Sequence, residues 1–265
     1  MKDSNKVCDI LTSKEGFYVI RIYLDSGRND EPIYLLLDTG TSTSLMSWDK
    51  IRRESNLISF RFYHEERKYI HYFKDVKEDR IQMVKDFHIQ GIIGVDFLLK
   101  NQLQVDFGRS KISRGFSNKT IQKYDFVYPL RIKNKALRVP IVGIKTETET
   151  FAFLIDSGSN YNIISSDLVN INKGSSYNNA EPVVIENMDN SINGYTGNVV
   201  IKVASLNKSN IRYIPYSVSA AITDTSKFTH DLFKGNFLKG VLGSRFLSEN
   251  RWIMDFKNMV VYSLA

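Results

Sequence analysis

The sequence predicts an all-β protein of two similar lobes with only a few short helices. Three observations favour this fold class: short apolar segments separated by polar turns, a set of motifs that occurs twice, and helical patterns of one or two turns. The chain has 265 residues, of which 42% are hydrophobic and 25% are charged. This length allows two domains with hydrophobic cores, and the composition excludes a disordered, collagen-like or coiled-coil chain.

Several motifs occur twice in the same order. Phe17–Gly40 aligns without a gap with Lys135–Gly158 at an offset of 118 residues, and the two segments end in Asp-Thr-Gly and Asp-Ser-Gly. Gly91–Leu98 recurs as Gly240–Leu247 at an offset of 149 residues. The match continues at this second offset in Val105–Phe107 and Met254–Phe256. Anchors that recur in one order indicate a tandem duplication.

The polar stretch Ser117–Tyr124 separates the two copies and is predicted to be the linker. The expected lobes are therefore residues 1–119, which carry Asp-Thr-Gly, and residues 120–265, which carry Asp-Ser-Gly. Each lobe has the size of a typical domain. The second copy holds 31 more residues between its two anchors, since the offset grows from 118 to 149 residues.

Strands are expected where short runs rich in β-branched and aromatic residues are bounded by polar turns. Six runs fit this description: Phe17–Leu24, Ile33–Leu37, Val139–Ile144, Phe151–Ile155, Gly197–Ala204 and Ile211–Val218. Short helices are expected at four places: Ser47–Glu54, Phe97–Lys100, Ser165–Val169 and Phe246–Glu249. The basic and aromatic stretch Phe60–Lys77 is interpreted as a helix or hairpin that packs its rings inward, in preference to a nucleic-acid contact.

Asp38 and Asp156 are the candidate catalytic residues, because each follows a run of apolar residues at the same place in the repeat. Each carboxylate is thereby expected at the inner end of a buried strand. Two carboxylates that meet across a pseudo-twofold axis cannot both ionise, so they share a proton. Such a pair can hold a water between an ionised general base and a protonated general acid. A third triplet, Asp25-Ser26-Gly27, has no counterpart in the second copy and is interpreted as a turn.

On these residues the chain resembles an aspartic protease, a single-chain enzyme with two lobes that are each similar to a retropepsin subunit. Four segments carry the resemblance: Leu36–Ser42, Ile92–Gly94, Leu154–Ser159 and Val241–Gly243. The resemblance implies a bilobal, acid-protease-like double barrel. It also implies an aspartic endopeptidase that hydrolyses peptide bonds with a water activated by Asp38 and Asp156.

The resemblance implies roles for the residues that follow each aspartate. Gly40 and Gly158 would allow the two backbones to approach closely. Thr39 and Ser157 would interlock the lobes through their hydroxyl groups. Hydroxyls that bond the outer carboxylate oxygens are implied at two further positions: Thr41 and Ser159.

A flap that covers the substrate is predicted in the second copy, at the tip of a glycine-rich hairpin. Its residues are Gly194, Tyr195, Thr196 and Gly197. In pepsin-like enzymes the flap belongs to the first lobe, whereas the first copy here has no glycine between Thr41 and Gln90. Its hairpin is therefore expected to be shortened or replaced by a helix. Which lobe supplies the working flap is left open.

Charge, cysteine and histidine content bear on partners. The 36 basic and 29 acidic residues give a net charge of +7 without a dense basic run, which is typical of a solvated surface. Cys8 is the single cysteine, so no internal disulfide can form, and His64, His71, His88 and His230 lie in no metal-ligand spacing. We expect a monomer without metal or cofactor that binds an extended polypeptide substrate and no nucleic acid.

The sequence leaves alternatives open for the cellular compartment and for the activity. No apolar run approaches the ~18 residues of a membrane span. The N-terminus has no apolar signal-peptide region, which fits a cytoplasmic protein or an exported one without its leader. The alternative to a protease is a catalytically silent, protease-like module that captures peptides. A basic nucleic-acid-binding β protein is a third, weaker hypothesis.

Overall fold

The computed structural model describes most of the chain, and its strands and helices form two barrel-like sheets joined by a third sheet. The described residues are 5–25, 31–47, 55–63, 65–77, 81, 84–115, 126–129, 131–132, 138–145, 149–171, 181–186, 191–207, 210–227 and 238–263. The expected linker at 117–124, the lobe boundary and all but the first residue of the expected helix at 47–54 lie outside them. The domain boundary therefore stays a prediction.

The described residues of the first lobe form an eight-stranded sheet and a short helix. Its strands are β2 (Leu11–Thr12), β3 (Tyr18–Leu24), β4 (Ile33–Leu37), β5 (Leu45–Met46), β6 (Leu57–Phe62), β7 (Tyr69–Tyr72), β8 (Lys74–Asp75) and β9 (Ile89–Ile93). Their order is β7-β6-β3-β4-β9-β5-β8, with β2 beside β3. Helix α1 (Val95–Lys100) follows β9 directly and contains the expected helix at Phe97–Lys100.

The second lobe repeats this plan with longer strands. Its strands are β13 (Arg131–Ile132), β14 (Pro140–Lys145), β15 (Thr150–Asp156), β16 (Ile163–Ser165), β17 (Pro182–Glu186), β18 (Ser191–Asn207), β19 (Asn210–Thr223) and β20 (Leu238–Gly243). Their order is β13-β14-β15-β20-β16-β19-β18-β17, and an extra pairing of β14 with β18 curls the sheet towards a barrel. Its described residues include the helices α2 (Ser166–Ile171) and α3 (Ser244–Glu249) and a 3₁₀ turn at Thr225–Lys227. The β18–β19 hairpin is much longer than the β6–β7 hairpin of the first lobe and accounts for part of the extra length of the second copy.

The pairing registers of the two lobes match at both repeat offsets. In the first lobe Leu36 of β4 lies beside Ile92 of β9 in parallel pairing. In the second lobe Leu154 of β15 lies beside Val241 of β20 in the same way. Both parallel pairs also carry a register shift at equivalent places, after Tyr34 and after Ala152. The duplication read from the sequence therefore extends to individual hydrogen-bonded positions.

A six-stranded sheet joins the lobes. Its strands are β1 (Lys6–Asp9), β10 (Leu103–Asp106), β11 (Lys111–Arg114), β12 (Phe126–Pro129), β21 (Trp252–Asp255) and β22 (Val260–Ser263), in the order β1-β11-β10-β21-β22-β12. At its centre Val105 pairs with Met254. These residues are equivalent in the two copies, so the pseudo-twofold axis passes between them. One hydrophobic cluster runs through this sheet and into both lobes.

The basic and aromatic stretch of the first lobe is a hairpin, formed by the antiparallel strands β6 and β7. Phe60, Phe62, Tyr69 and Phe73 are buried, and the Phe60 ring contacts the rings of the other three. Of the two structures expected for this stretch, the hairpin is the one that forms; these four rings point inward, whereas Tyr63 and Tyr72 are exposed. In the described residues no helix is long and apolar enough to cross a membrane.

Candidate active site

Asp38 and Asp156 stand at equivalent strand ends. Asp38 directly follows β4, whose Leu35, Leu36 and Leu37 are fully buried. Asp156 is the last residue of β15. The Asp38 amide donates to the carbonyl oxygen of Ile93 on the neighbouring parallel strand at 3.1 Å. An apolar strand buried on both faces thus delivers each carboxyl group to the junction between the lobes.

Thr39 and Ser157 interlock the two loops through four hydrogen bonds. The Thr39 amide donates to Oγ of Ser157 at 3.0 Å, and the Ser157 amide donates to Oγ1 of Thr39 at 2.9 Å. The Thr39 hydroxyl donates to the carbonyl oxygen of Ile155 at 2.9 Å, and the Ser157 hydroxyl donates to that of Leu37 at 2.8 Å. Both side chains are fully buried. Each loop therefore satisfies the buried polar groups of the other.

The glycines after these residues lie against the opposite carboxyl groups. A Cβ atom built on Gly40 would stand 2.5 Å from Cγ of Asp156, and one built on Gly158 would stand 2.5 Å from Cγ of Asp38. Real Cβ contacts are never so short, so a side chain at either glycine would displace a carboxyl group. The absence of a side chain is what brings the two aspartates together.

Asp38 is held by three hydrogen bonds from its own loop. Its Oδ1 accepts from the amides of Gly40 and Thr41 at 2.8 and 3.0 Å. Its Oδ2 accepts from the Thr41 hydroxyl at 2.6 Å. Hydrogen bonds donated to a carboxylate favour its ionised form.

Asp156 has a different environment, although its loop is equivalent. Its Oδ1 accepts from the Gly158 amide at 2.8 Å. Ser159 does not act as its position suggested, because its hydroxyl donates to the carbonyl oxygen of Tyr161 at 3.0 Å. One hydroxyl carries one proton, so the bond expected from Ser159 to the outer oxygen of Asp156 is replaced by this local turn.

The electrostatics of the pair follow from this asymmetry. Burial is the main factor that raises the pKa of Asp156 well above its ordinary range. The negative charge of Asp38, and a hydrogen bond between the two carboxyl groups, raise it further. A carboxyl group that stays protonated beside an ionised one can donate a proton.

The predicted flap tip is wrong in its geometry. Gly194, Tyr195, Thr196 and Gly197 lie inside β18, where Tyr195 pairs with Pro182 on one side and Ile222 on the other. The glycines signal close packing instead of a turn: a Cβ atom at Gly194 would stand 2.7 Å from the carbonyl oxygen of Ile222. Residues 187–190, between β17 and β18, lie outside the described residues. Tyr195 itself is exposed.

Two features of the structure were missed by sequence reasoning. The first is a cavity of about 390 Å³ whose wall includes Gly16, Asn160, Tyr161 and Ser244. The second is Asp96, which bonds to the loop after Asp38. No spacing rule marks either group, because their members come from separate strands and helices. Within the described chain, no group of three or more His, Cys, Asp or Glu side chains is placed to hold a metal ion.

These features have counterparts in solved structures. The chain is similar to basic 7S globulin from soybean, with a TM-score of 0.64 at 10% identity over 98% of this chain and 95% of that one. It is also similar to the aspartic proteinase from Irpex lacteus, with a TM-score of 0.50 at 14% identity over 97% of both chains. No protein-family model matches the sequence, and no curated protein sequence matches it.

The fold is therefore the bilobal, nearly all-β fold of the aspartic proteases, as the sequence predicted. At these identities the likeness extends to the fold alone. One neighbour is named as a proteinase and the other is not, so activity has to be argued from the residues at the lobe junction.

Proposed function

We propose that this protein is an aspartic endopeptidase whose catalytic pair is Asp38 and Asp156. The observation that carries the proposal is the environment of the pair: a buried Asp38 and a half-buried Asp156, each packed on the glycine of the other loop, with unequal hydrogen bonding. Unequal environments separate the roles of two titratable groups. A pair buried for structural reasons alone would be costly, because two adjacent carboxylates repel each other.

In the proposed reaction Asp38 is the general base. Its carboxylate is stabilised by the amides of Gly40 and Thr41 and by the Thr41 hydroxyl. It removes a proton from a water molecule, whose oxygen attacks the carbonyl carbon of the scissile peptide bond. Asp156 donates its proton to the carbonyl oxygen, which gives a neutral tetrahedral diol. The raised pKa of Asp156 keeps that proton available.

Collapse of the diol completes the cycle. Asp38, now protonated, donates its proton to the departing nitrogen, and the C–N bond breaks. Asp156 takes a proton back from a diol hydroxyl as the carbonyl re-forms, which restores the starting state. The interlocked Thr39 and Ser157 hold both carboxyl groups in position during these steps, so little reorganisation is needed.

The proposed substrate is an extended polypeptide bound between the lobes. An extended chain presents its backbone for hydrogen bonding to nearby strands, and pockets along it take alternate side chains. The proposed enzyme works as a monomer, since both aspartates belong to one chain.

The test is cleavage of a diverse peptide mixture, followed by mass spectrometry from about pH 3 to about pH 8. We expect cleavage by the wild-type protein and none by Asp38→Asn or Asp156→Asn. Asp25→Asn is the matched control, because Asp25 begins the third Asp-Ser-Gly triplet and bonds to Ser59 and Lys68 at the surface. Cleavage that persists unchanged in Asp38→Asn would overturn the proposal.

A protease-like module that binds peptides without cutting them is the second candidate. It is favoured by the structural neighbour with the larger TM-score, which is named as a globulin. The same experiment separates the two functions. Peptides that are retained by the wild-type protein but recovered intact at every pH would favour the binding module.

A further inference from the structure

The loop that carries Asp38 is fixed by a network that differs from its counterpart in the second lobe. Ser44 closes this loop, and its hydroxyl accepts a hydrogen bond from the Gly94 amide at 3.0 Å. The Val95 amide donates to the carbonyl oxygen of Thr41 at 2.9 Å. Residues 41–44 are therefore bonded to the start of α1 at both ends. Thr41 in turn donates to Asp38, so a shift of this segment would move the carboxylate.

Asp96 on α1 holds Ser44 in place. Its Oδ1 accepts from the Ser44 hydroxyl at 2.7 Å, from the Ser44 amide at 3.0 Å and from the Phe97 amide at 2.8 Å. Its Oδ2 lies 3.2 Å from Nε2 of His71 on β7. Asp96 thus joins the loop after Asp38 to the β6–β7 hairpin through its contact with His71.

His71 is a buried side chain in an apolar setting. Its ring meets the rings of Phe73 and Phe97 edge-on, at centroid distances of 5.3 and 5.1 Å. Within the described residues neither Nδ1 nor Nε2 meets the geometry of a hydrogen bond, and the contact of Nε2 with Oδ2 of Asp96 is a close approach of 3.2 Å. Asp96 is therefore the polar group that the imidazole faces.

Other charged groups around His71 are directed elsewhere. Lys100, on the same helix as Asp96, donates to the carbonyl oxygen of Ile70 at 3.0 Å. Lys74 and Asp75 on β8 are exposed. On β6 the residue opposite His71 is Ile58, which carries no charge. Among these charged groups, Asp96 is the one that lies against the His71 ring.

The second lobe makes the same connections without a charge. Asn162 occupies the position of Ser44, and its Oδ1 accepts from the Gly243 amide at 2.9 Å while its Nδ2 donates to the carbonyl oxygen of Ser219 at 3.0 Å. Arg245 occupies the position of Asp96, but its side chain is exposed and pairs with Glu249. One neutral amide does in the second lobe what Ser44, Asp96 and His71 do together in the first.

We propose that His71 is a positioning residue for Asp38, acting through Asp96 and Ser44, and that its interaction with Asp96 extends the activity of the enzyme to lower pH. The inference rests on the proposed protease function. Its physical basis is that a catalytic group displaced by about 1 Å loses a large part of its effect. In the first lobe the connection runs through the titratable side chains of Asp96 and His71, whereas in the second lobe it runs through the amide of Asn162.

The direction of the pH effect follows from the surroundings of Asp96. Burial alone would raise the pKa of Asp96, but interactions with His71 and then with Ser44 outweigh burial and hold that pKa below its ordinary value. Asp96 therefore stays ionised, and the network stays intact, into the acidic range. Without His71, the increase in the pKa of Asp96 that burial causes is offset less. The pKa of Asp96 therefore rises, and the network is lost at a higher pH.

The experiment compares kcat and KM across the acidic range for the wild type, His71→Phe, Asp96→Asn and the double variant. In His71→Phe we expect the acid limb of kcat to move to higher pH and kcat at the acid end to fall roughly ten- to a hundredfold. KM should change little, because His71 is buried away from solvent. Asn at position 96 keeps an acceptor oxygen but does not titrate, so His71→Phe should not move the profile in the Asp96→Asn background.

Two further variants keep the result interpretable. His71→Gln preserves a polar contact to Asp96 and replaces His71→Phe if the latter does not fold. His88→Gln removes an exposed histidine elsewhere in the same lobe and should leave the profile unchanged. A lower melting temperature with an unchanged pH profile in both His71 variants would overturn the inference, because a purely structural role predicts that result.

The inference and the proposed function can fail separately. If the wild-type protein cleaves nothing, the proposed function fails. The positioning role is then tested by NMR, which follows the titration of the Asp38 carboxyl carbon in the wild type and in His71→Phe. A changed Asp38 titration supports that role. An identical titration in both proteins rejects it.

Discussion

Gly40 lies against the carboxyl group of Asp156, so that a Cβ atom at position 40 would stand 2.5 Å from Cγ of that aspartate. Gly158 and Asp38 repeat this relationship with the lobes exchanged, again at 2.5 Å. The position of each carboxyl group therefore depends on the backbone of the other half of the chain. Neither lobe can build its half of the site alone.

This relationship predicts that Gly40→Ala inactivates the protein without unfolding it. The new methyl group displaces the Asp156 carboxyl, so we expect kcat to fall roughly a hundredfold. Overpacking of this kind costs about 1–3 kcal/mol of unfolding free energy. Peptide-cleavage kinetics and urea unfolding measure the two effects.

Gly143→Ala is the matched control, since its Cβ atom would meet Cγ2 of Thr150 at 3.2 Å, away from the aspartates. That variant should retain wild-type kcat. If Gly40→Ala also retained wild-type kcat, the close approach of Gly40 to Asp156 would have no catalytic importance.

A second prediction concerns the bonds between Thr39 and Ser157. Thr39→Val keeps the shape of the side chain but removes the partner of two buried groups, the Ile155 carbonyl and the Ser157 amide. Each unsatisfied buried group costs about 1–3 kcal/mol, so we expect a loss of about 2–6 kcal/mol in unfolding free energy.

Ser157→Ala should show a comparable loss, because its hydroxyl serves the Leu37 carbonyl and the Thr39 amide. The double variant should lose less than the sum of the two single losses, since both act on one network. Urea unfolding of the three variants tests this. Strictly additive losses would mean that the two loops do not depend on each other.

Much of this site could be predicted because the chain contains two copies of it. A single Asp-Ser-Gly is uninformative, and Asp25, which begins another such triplet, also directly follows a strand, β3. Asp38 and Asp156 differ from Asp25 because their triplets occur at the same place in the two copies of the repeat. Apolar runs before each aspartate further predicted the buried strands, because a strand covered on both faces needs a nearly continuous apolar sequence.

What could not be predicted depends on contacts between distant segments. Gly194 favours a turn in a local reading, yet it lies in a strand because Ile222 packs directly against it. Ser159 has the same place in the repeat as Thr41, but a bond to Tyr161 redirects its hydroxyl. His71 and Asp96 are 25 positions apart, and no sequence pattern joins a buried histidine to one aspartate among many.

The different partners of Thr41 and Ser159 give a third prediction. Thr41→Val removes a hydrogen bond of 2.6 Å to the Asp38 carboxylate, and bonds to charged groups contribute about 1.5–3 kcal/mol. We therefore expect kcat to fall roughly ten- to a hundredfold. Ser159→Ala should have a much smaller effect, because its hydroxyl bonds to a backbone carbonyl. Equal losses in the two variants would mean that Ser159 turns to Asp156 when substrate binds.

The raised pKa of Asp156 gives the last prediction, on stability. A carboxyl group with a raised pKa in the folded state stabilises the fold below its unfolded pKa, about 3.9 for aspartate, and this stabilisation is lost as the pH rises through the folded value. Asn cannot ionise, so Asp156→Asn should gain unfolding free energy over the wild type as the pH rises above about 4.

Asp167→Asn should behave in the opposite way. Interactions with Lys239 and Ser165 outweigh the effect of burial and lower the pKa of Asp167, so its contribution is present above the unfolded pKa and is lost as the pH falls. Relative to the wild type, Asp167→Asn should therefore be less stable at neutral pH and should approach it in acid. Denaturant unfolding across the acidic and neutral range measures both variants. A stability difference for Asp156→Asn that does not vary with pH would show that Asp156 shares no proton with Asp38.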